Sequence, residues 1–91
     1  MAQMEVVLYT RRGSLRCWRA KRLLAHRGYV VKVGFTTNDK LRDLLEQFTQ
    51  VASHKKTVPY VFIDHRPVGD LGDIKALDYL GVLELLVRGE V

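Results

Sequence analysis

The sequence predicts an α/β domain in the order β-α-β-α-β-β-α, with a four-stranded mixed sheet and helices on both faces. Three observations carry that expectation. Residues 4–35 read as strand, helix and strand joined by short links, a βαβ unit with parallel strands and a right-handed crossover. Two further short strands are joined by the turn Asp64-His65-Arg66-Pro67, so they pair antiparallel. Apolar stripes at helical spacing separate and follow the strands. The 91 residues are expected to form one domain, 1–91, with a single modest core.

Met4 to Thr10 is the first strand, its Val6-Val7-Leu8-Tyr9 run apolar and partly β-branched. Gly13 permits a sharp turn and Ser14 suits an N-cap. The first helix follows from Leu15 to Arg27, with Cys17, Ala20 and Leu24 on its inner face and Gly28 as its stop. Tyr29 to Phe35 sets Val31, Val33 and Phe35 against Lys32 and Gly34, a strand's alternation. Thr37 or Asn38 caps a second helix from about Asp39 to Val51, striped by Leu41, Leu44, Leu45 and Phe48. Ala52 to Lys56 is a polar, basic link. Tyr60 to Ile63 is a short third strand, and Pro67-Val68 opens an edge strand, where a missing N–H is tolerated. Gly69-Asp70-Leu71-Gly72-Asp73 reads as a tight loop. A helix then runs from Asp70 or Gly72 to Tyr79 with Ile74, Leu77 and Leu80 inward, and Val82 to Val87 continues as a further helical segment beyond Gly81.

Charge is unevenly spread. The net charge is +5. From Arg11 to Arg27 the chain carries Arg11, Arg12, Arg16, Arg19, Lys21, Arg22 and Arg27 with no acid among them. This basic first helix suits an anionic partner: a small carboxylate, an acidic protein face or nucleic acid. Nucleic acid ranks last, because no aromatic platform interleaves the charges. No apolar run approaches the roughly 20 residues that span a bilayer. Met1 to Glu5 shows no basic and apolar leader pattern, so the cytoplasm is the expected compartment. His26, His54 and His65 are not spaced as metal ligands, and with one cysteine neither a closed zinc site nor an internal disulfide is expected.

The chemistry concentrates at the start of the first helix, where Ser14-Leu15-Arg16-Cys17 has the spacing of a C-x-x-C redox motif with serine first. Free N–H donors and three arginines make this point favourable for an anion. A thiol at position 14 would ionise readily; a hydroxyl is far harder to ionise. Ser14 taken alone is simply a cap. Three features add to it: Thr57-Val58-Pro59 ahead of a strand, either a trans proline or a cis one in a tight turn; the glycines of 69–73 at a helix start, either an anion cradle or an Asp70-capped loop; and delivery of the motif at a strand's carboxyl end, where ligands bind in open sheets.

In order and spacing, Tyr9-Thr10-Arg11, the helix bearing Cys17 and Arg19-Ala20-Lys21, Thr57-Val58-Pro59 before Val61-Phe62-Ile63, and the loop ending in Gly72-Asp73 together resemble the glutaredoxin family of thioredoxin-like folds. The resemblance spans nearly the whole chain. It implies a glutathione-linked disulfide oxidoreductase, with glutathione as co-substrate, a disulfide-bearing protein as the other partner, no metal, and a monomeric state. It implies Ser14 at the nucleophile's position and Cys17 at the resolving one. It assigns Arg11 and Arg42 to the glycyl carboxylate of glutathione. Val58, before Pro59, offers its backbone to the ligand's cysteine, and Gly72 and Asp73 hold the γ-glutamyl end. Departures from the family pattern are the missing nucleophile, Arg16 in place of an aromatic residue, Asp70 for a glycine, Gly72 for an acid, and about four extra residues over 50–56. An iron–sulfur cluster, as in some relatives, needs the cysteine absent here.

Two explanations of the serine compete. A cysteine or selenocysteine replaced by Ser14 leaves an impaired oxidoreductase, and the surrounding positive charge favours this explanation. A natural redox-dead module would keep the fold to bind glutathione or a protein partner.

Overall fold

The structure, a computed structural model, describes residues 3–48 and 57–90. The basic link at 52–56, its extra length over 50–56, and the end of the expected second helix at 49–51 lie outside the described residues. The elements are β1 (Val6–Thr10), α1 (Leu15–His26), β2 (Val31–Phe35), α2 (Asn38–Leu45), β3 (Tyr60–Ile63), β4 (Arg66–Asp70), α3 (Leu71–Tyr79) and α4 (Val82–Arg88). The sheet order is β2-β1-β3-β4, with β1 parallel to β2 and antiparallel to β3, and β3 antiparallel to β4. This is the mixed α/β sheet that the sequence predicts.

Strand alternation sorts the core into two clusters. Val6 and Leu8 of β1, with Val61 and Ile63 of β3, pack beneath Ala20 and Leu24 of α1, Ile74 of α3, and Leu83 and Val87 of α4. On the opposite face Tyr60 and Phe62 meet Leu41 and Leu45 of α2, flanked by Val7, Tyr9 and Phe48. Every residue of β3 is therefore buried. Full burial of one such large apolar side chain contributes roughly 1.5–3 kcal/mol. Phe62 is the hub of the second face: Tyr9, Phe48 and Tyr60 stack against it at 5.4, 5.8 and 5.7 Å between ring centroids.

Local sequence explains most element ends. Ser14, Thr37 and Asp70 cap α1, α2 and α3 with side-chain oxygens that accept from backbone N–H groups of the first turn. The hairpin between β3 and β4 is only Asp64-His65, both with positive φ, as tight two-residue turns require. Arg27 sits at the C-terminus of α1 and pairs with Asp78 of α3 at 2.9 Å, tying the two helices together.

Three expectations need correction. Residues 69–73 are not a loop: β4 runs through Gly69 and Asp70 straight into α3. Asp70 makes this possible by a reciprocal cap in which its Oδ1 accepts from the Asp73 N–H and Asp73 Oδ2 accepts from the Asp70 N–H. Gly69 is obligatory there, since a Cβ would collide with the Asp73 side chain. Leu80 does not face inward; it is the C-cap of α3 and 68% exposed, because the chain turns at Gly81 and Leu83 fills the core instead. In β2 the alternation is present, but only Val31 packs on the core, while Val33 and Phe35 stay exposed at the sheet's edge.

One contact and one unpartnered hydroxyl bear on the stability of the face that carries Val58 and Pro59. Asn38 Oδ1 accepts from the Val58 N–H at 3.0 Å, pinning the residue before Pro59 to the start of α2. Removing that acceptor by Asn38→Ala should cost about 1 kcal/mol in denaturant unfolding, while Asn38→Asp, which keeps an acceptor beside a helix N-terminus, should stay within about 0.5 kcal/mol of the parent. Tyr60 is fully buried and its hydroxyl has no hydrogen-bond partner among the described residues. Burial, reinforced by Asp73 and Asp70, pushes its phenol up to about 12. The unfolded phenol titrates near 10, so the folded state's preference for the proton is fully present below about pH 10 and lost as pH rises towards 12. Tyr60→Phe should therefore leave the protein unchanged or about 1 kcal/mol more stable at neutral pH, and should flatten the alkaline loss of stability in thermal melts.

Candidate functional site

The sheet's register gathers the predicted residues at one end. Tyr9 of β1 lies opposite Tyr60 of β3, and Tyr60 lies opposite Asp70 of β4. The carboxyl end of β1, the start of β3 and the carboxyl end of β4 therefore stand side by side. Thr10 is level with Phe35, so β2 ends there too, and the Thr36 N–H bonds to the Thr10 carbonyl at 2.8 Å. Each chain segment leaving or entering this end carries part of the motif set: Arg11 to Ser14 after β1, Thr37 and Asn38 after β2, Val58 and Pro59 before β3, Gly72 and Asp73 after β4.

Gly13, at φ +75°, turns the chain from β1 into α1. Ser14 follows in extended conformation, and its Oγ accepts from the Cys17 N–H at 3.3 Å. Cys17 lies one turn on, 5% exposed, a free thiol packed in the same cluster as Val58, Tyr60 and Phe62. The Val58–Pro59 peptide is cis, and both residues are buried. Ser14, Cys17 and the Val58–Pro59 turn are thus brought together, with Ser14 at the rim and Cys17 beneath it.

The electrostatics of this end are lopsided. The first turns of α2 and α3 contain Asp39 and Asp73, whereas the first turn of α1 contains no acid. Arg11, Arg12 and Arg16 surround that uncompensated end, all exposed and without an ion-pair partner among the described residues. The partial positive charge of the helix start and these guanidinium groups act in the same direction, stabilising an anion held at position 14 or beside it.

Other predicted residues are more engaged. Arg11 lines the same groove as Ser14 and Cys17. Arg42 lies outside that groove, exposed on α2 and 3.9 Å from the Asp39 carboxylate. Gly72 is exposed in the first turn of α3, and Asp73 spends one carboxylate oxygen and its N–H on the cap with Asp70. The Val58 N–H is occupied by Asn38. Sequence reasoning missed Asn38, which it considered only as a cap. The signal was there: Thr37 and Asn38 are two capping residues for one helix start, and Thr37 takes the cap, leaving the Asn38 amide to reach across to Val58. Among the described residues no group of three or more His, Cys, Asp or Glu side chains could hold a metal ion.

Comparison with known proteins agrees with this geometry. The glutaredoxin family model matches residues 6–68. Glutaredoxin 1 of Rickettsia felis is 32% identical over 89 residues, covering 93% of this chain and 82% of that protein. The solution structure of glutaredoxin from Brucella melitensis superposes with a TM-score of 0.74 at 31% identity, covering all of this chain and 97% of that one. The buckwheat glutaredoxin–glutathione complex shares the fold at 20% identity, with a TM-score of 0.73 over 94% of this chain and 78% of that one. With its strand order, its Ser14–Cys17 helix start and its buried Val58–Pro59 turn, the chain belongs to the glutaredoxin family.

Proposed function

We propose that the chain is a glutathione-linked thiol–disulfide oxidoreductase whose attacking sulfur is replaced by the Ser14 hydroxyl, so that it holds its ligand but does not turn over. The single observation carrying this is Ser14 at an acid-free helix start, its Oγ accepting from the N–H of a buried Cys17 that shares its packing cluster with Val58 of the cis Val58–Pro59 turn. Arg11 supports it, exposed in the same groove and without an ion-pair partner among the described residues. A buckwheat protein of this fold was solved with glutathione, which supports the same ligand here.

With a thiolate at position 14 the chemistry is direct. The sulfur attacks the glutathione sulfur of a mixed disulfide, forming a new S–S bond as the old one breaks and the released thiolate takes a proton from water. A second glutathione thiolate then attacks the bound glutathione sulfur, releasing glutathione disulfide and the residue-14 thiolate in a monothiol cycle; or the Cys17 thiolate attacks the residue-14 sulfur, releasing glutathione, and two further glutathione thiols reduce the resulting 14–17 disulfide in a dithiol cycle. The Ser14 hydroxyl stays protonated at neutral pH and forms no such bond. Cys17 cannot substitute for it as an attacking group from its buried position.

In this reading the glycyl carboxylate of glutathione meets Arg11 and Arg42, the Val58 backbone pairs with its cysteine, and its γ-glutamyl end meets Gly72 and Asp73. Two local contacts compete: the ligand displaces Asn38 from the Val58 N–H and Asp39 from Arg42. Affinity is consequently lower than the positive charge alone suggests.

Ser14→Cys should raise glutathione-dependent disulfide reduction by roughly 10³-fold or more over the present chain, the scale on which a nucleophile acts. The alternative is a redox-dead module that binds glutathione or a protein partner without chemistry; the engagement of Ser14 as a cap and the burial of Cys17 favour it. That alternative expects glutathione binding by the present chain, lost on Arg11→Glu, and no gain of activity in Ser14→Cys. Failure of both glutathione binding and restored activity would overturn the glutathione assignment itself.

A further inference from the structure

The exposed apolar residues of β2 belong to a larger feature. Val33 and Phe35 are level with Leu8 and Thr10 of β1, both buried, so they point to the face covered by α1. The helix does not reach them: Val33 is 37% and Phe35 64% exposed. On the helix side Leu15 is 61% and Trp18 53% exposed. These four side chains line one open groove of about 480 Å³ that starts at Ser14 and Cys17 and ends at the outer edge of the sheet. An apolar surface this concentrated beside a site marks an interaction surface rather than chance exposure.

Every charged residue lining it is basic. Arg11, Arg12 and Lys21 line the groove, and no acid does. The Arg12 guanidinium lies 5.5 Å from the Phe35 ring centroid, and that of Arg22 lies 5.2 Å from the Trp18 ring. None of these cations forms an ion pair with another described residue. The groove also borders a sheet edge, since among the described residues β2 is outermost and pairs only with β1.

We propose that this groove docks an extended, acidic segment of a partner protein carrying apolar or aromatic side chains. The acids meet Arg12 and Lys21, the apolar side chains cover Leu15, Trp18, Val33 and Phe35, and the segment's backbone pairs along β2. Because the groove opens at Ser14, a disulfide on that segment is delivered to position 14; this last clause rests on the function proposed above, whereas the docking does not. A nucleic acid fits less well. Base stacking needs free ring faces, and the guanidinium groups of Arg12 and Arg22 already occupy one face of each ring. Leu15, Val33 and a strand edge offer a polynucleotide nothing in return.

Trp18, the only tryptophan, reports directly on the groove. The present chain is titrated with three probes: a short peptide alternating Glu or Asp with Leu or Phe, the same peptide with lysine for each acid, and a single-stranded oligothymidylate. The acidic peptide should bind saturably with a Kd of about 10–100 µM at low salt, weaken with added salt, and lose about tenfold or more in Phe35→Ser and in Arg12→Glu. The lysine peptide should not bind. Both substituted positions are exposed, and circular dichroism checks the fold. Binding of the acidic peptide that ignores Phe35→Ser overturns the proposal, as does its absence, or equal or tighter binding of the oligonucleotide. Glutathione titrated into the same variants, followed at the Val58 and Gly72 amides, keeps the two ideas apart. In Phe35→Ser and Arg12→Glu, loss of the peptide with glutathione retained is the expected result; in the unsubstituted chain, failure of the peptide to bind while glutathione binds sinks the docking groove alone, and the converse sinks the glutathione assignment alone.

Discussion

Burial of β3 on both faces is the constraint on which the rest hangs. Val61 and Ile63 lie under α1, α3 and α4, while Tyr60 and Phe62 lie under α2, so no part of this strand is open to a ligand. Function is thereby pushed to the strand ends. The antiparallel pairing of β3 with both β1 and β4 brings the exit of β1, the entry of β3 and the exit of β4 to the same end. The starts of α1 and α3 follow from that register and need no further device to meet there. The parallel strand β2 adds the start of α2, and Asn38 ties it to Val58.

The helix starts gathered at this end are not equivalent. Those of α2 and α3 are neutralised from within, by Asp39 in one and by the Asp70–Asp73 cap in the other. The start of α1 holds only a serine hydroxyl, surrounded by arginines. A helix start of this kind stabilises an anion placed at it. Here the cap oxygen accepts a single backbone N–H, that of Cys17. An acid-free, arginine-ringed helix start and a neutral serine cap therefore coexist at one point.

Cys17 illustrates why motif spacing alone does not make a reactive thiol. It shares a face with Ala20 and Leu24, and packing on that face puts it among Val58, Tyr60 and Phe62. From there its thiol is shielded from solvent. The other side of α1 has the opposite character: Leu15 and Trp18 are left uncovered beside Val33 and Phe35, so the helix carries one apolar face for the core and a second, basic and apolar, for the outside.

The sequence by itself determined the element order, the inner face of α1, the bounds of β3 to the residue and the Ser14 cap of α1, because each rests on local period, capping chemistry or turn residues. Ile74 was legible as core for the same reason; Leu80 was not, since only the turn at Gly81 decides that Leu83 takes the inward slot. The tertiary structure alone decided three things. It turned the expected glycine loop into a strand–helix junction, because the Asp70–Asp73 cap needs Gly69 packed against it. It gave Asn38 a partner twenty residues away, which no local pattern encodes. It left Val33 and Phe35 bare, because alternation reveals which face a side chain takes but not whether a helix lies over that face at the sheet's edge.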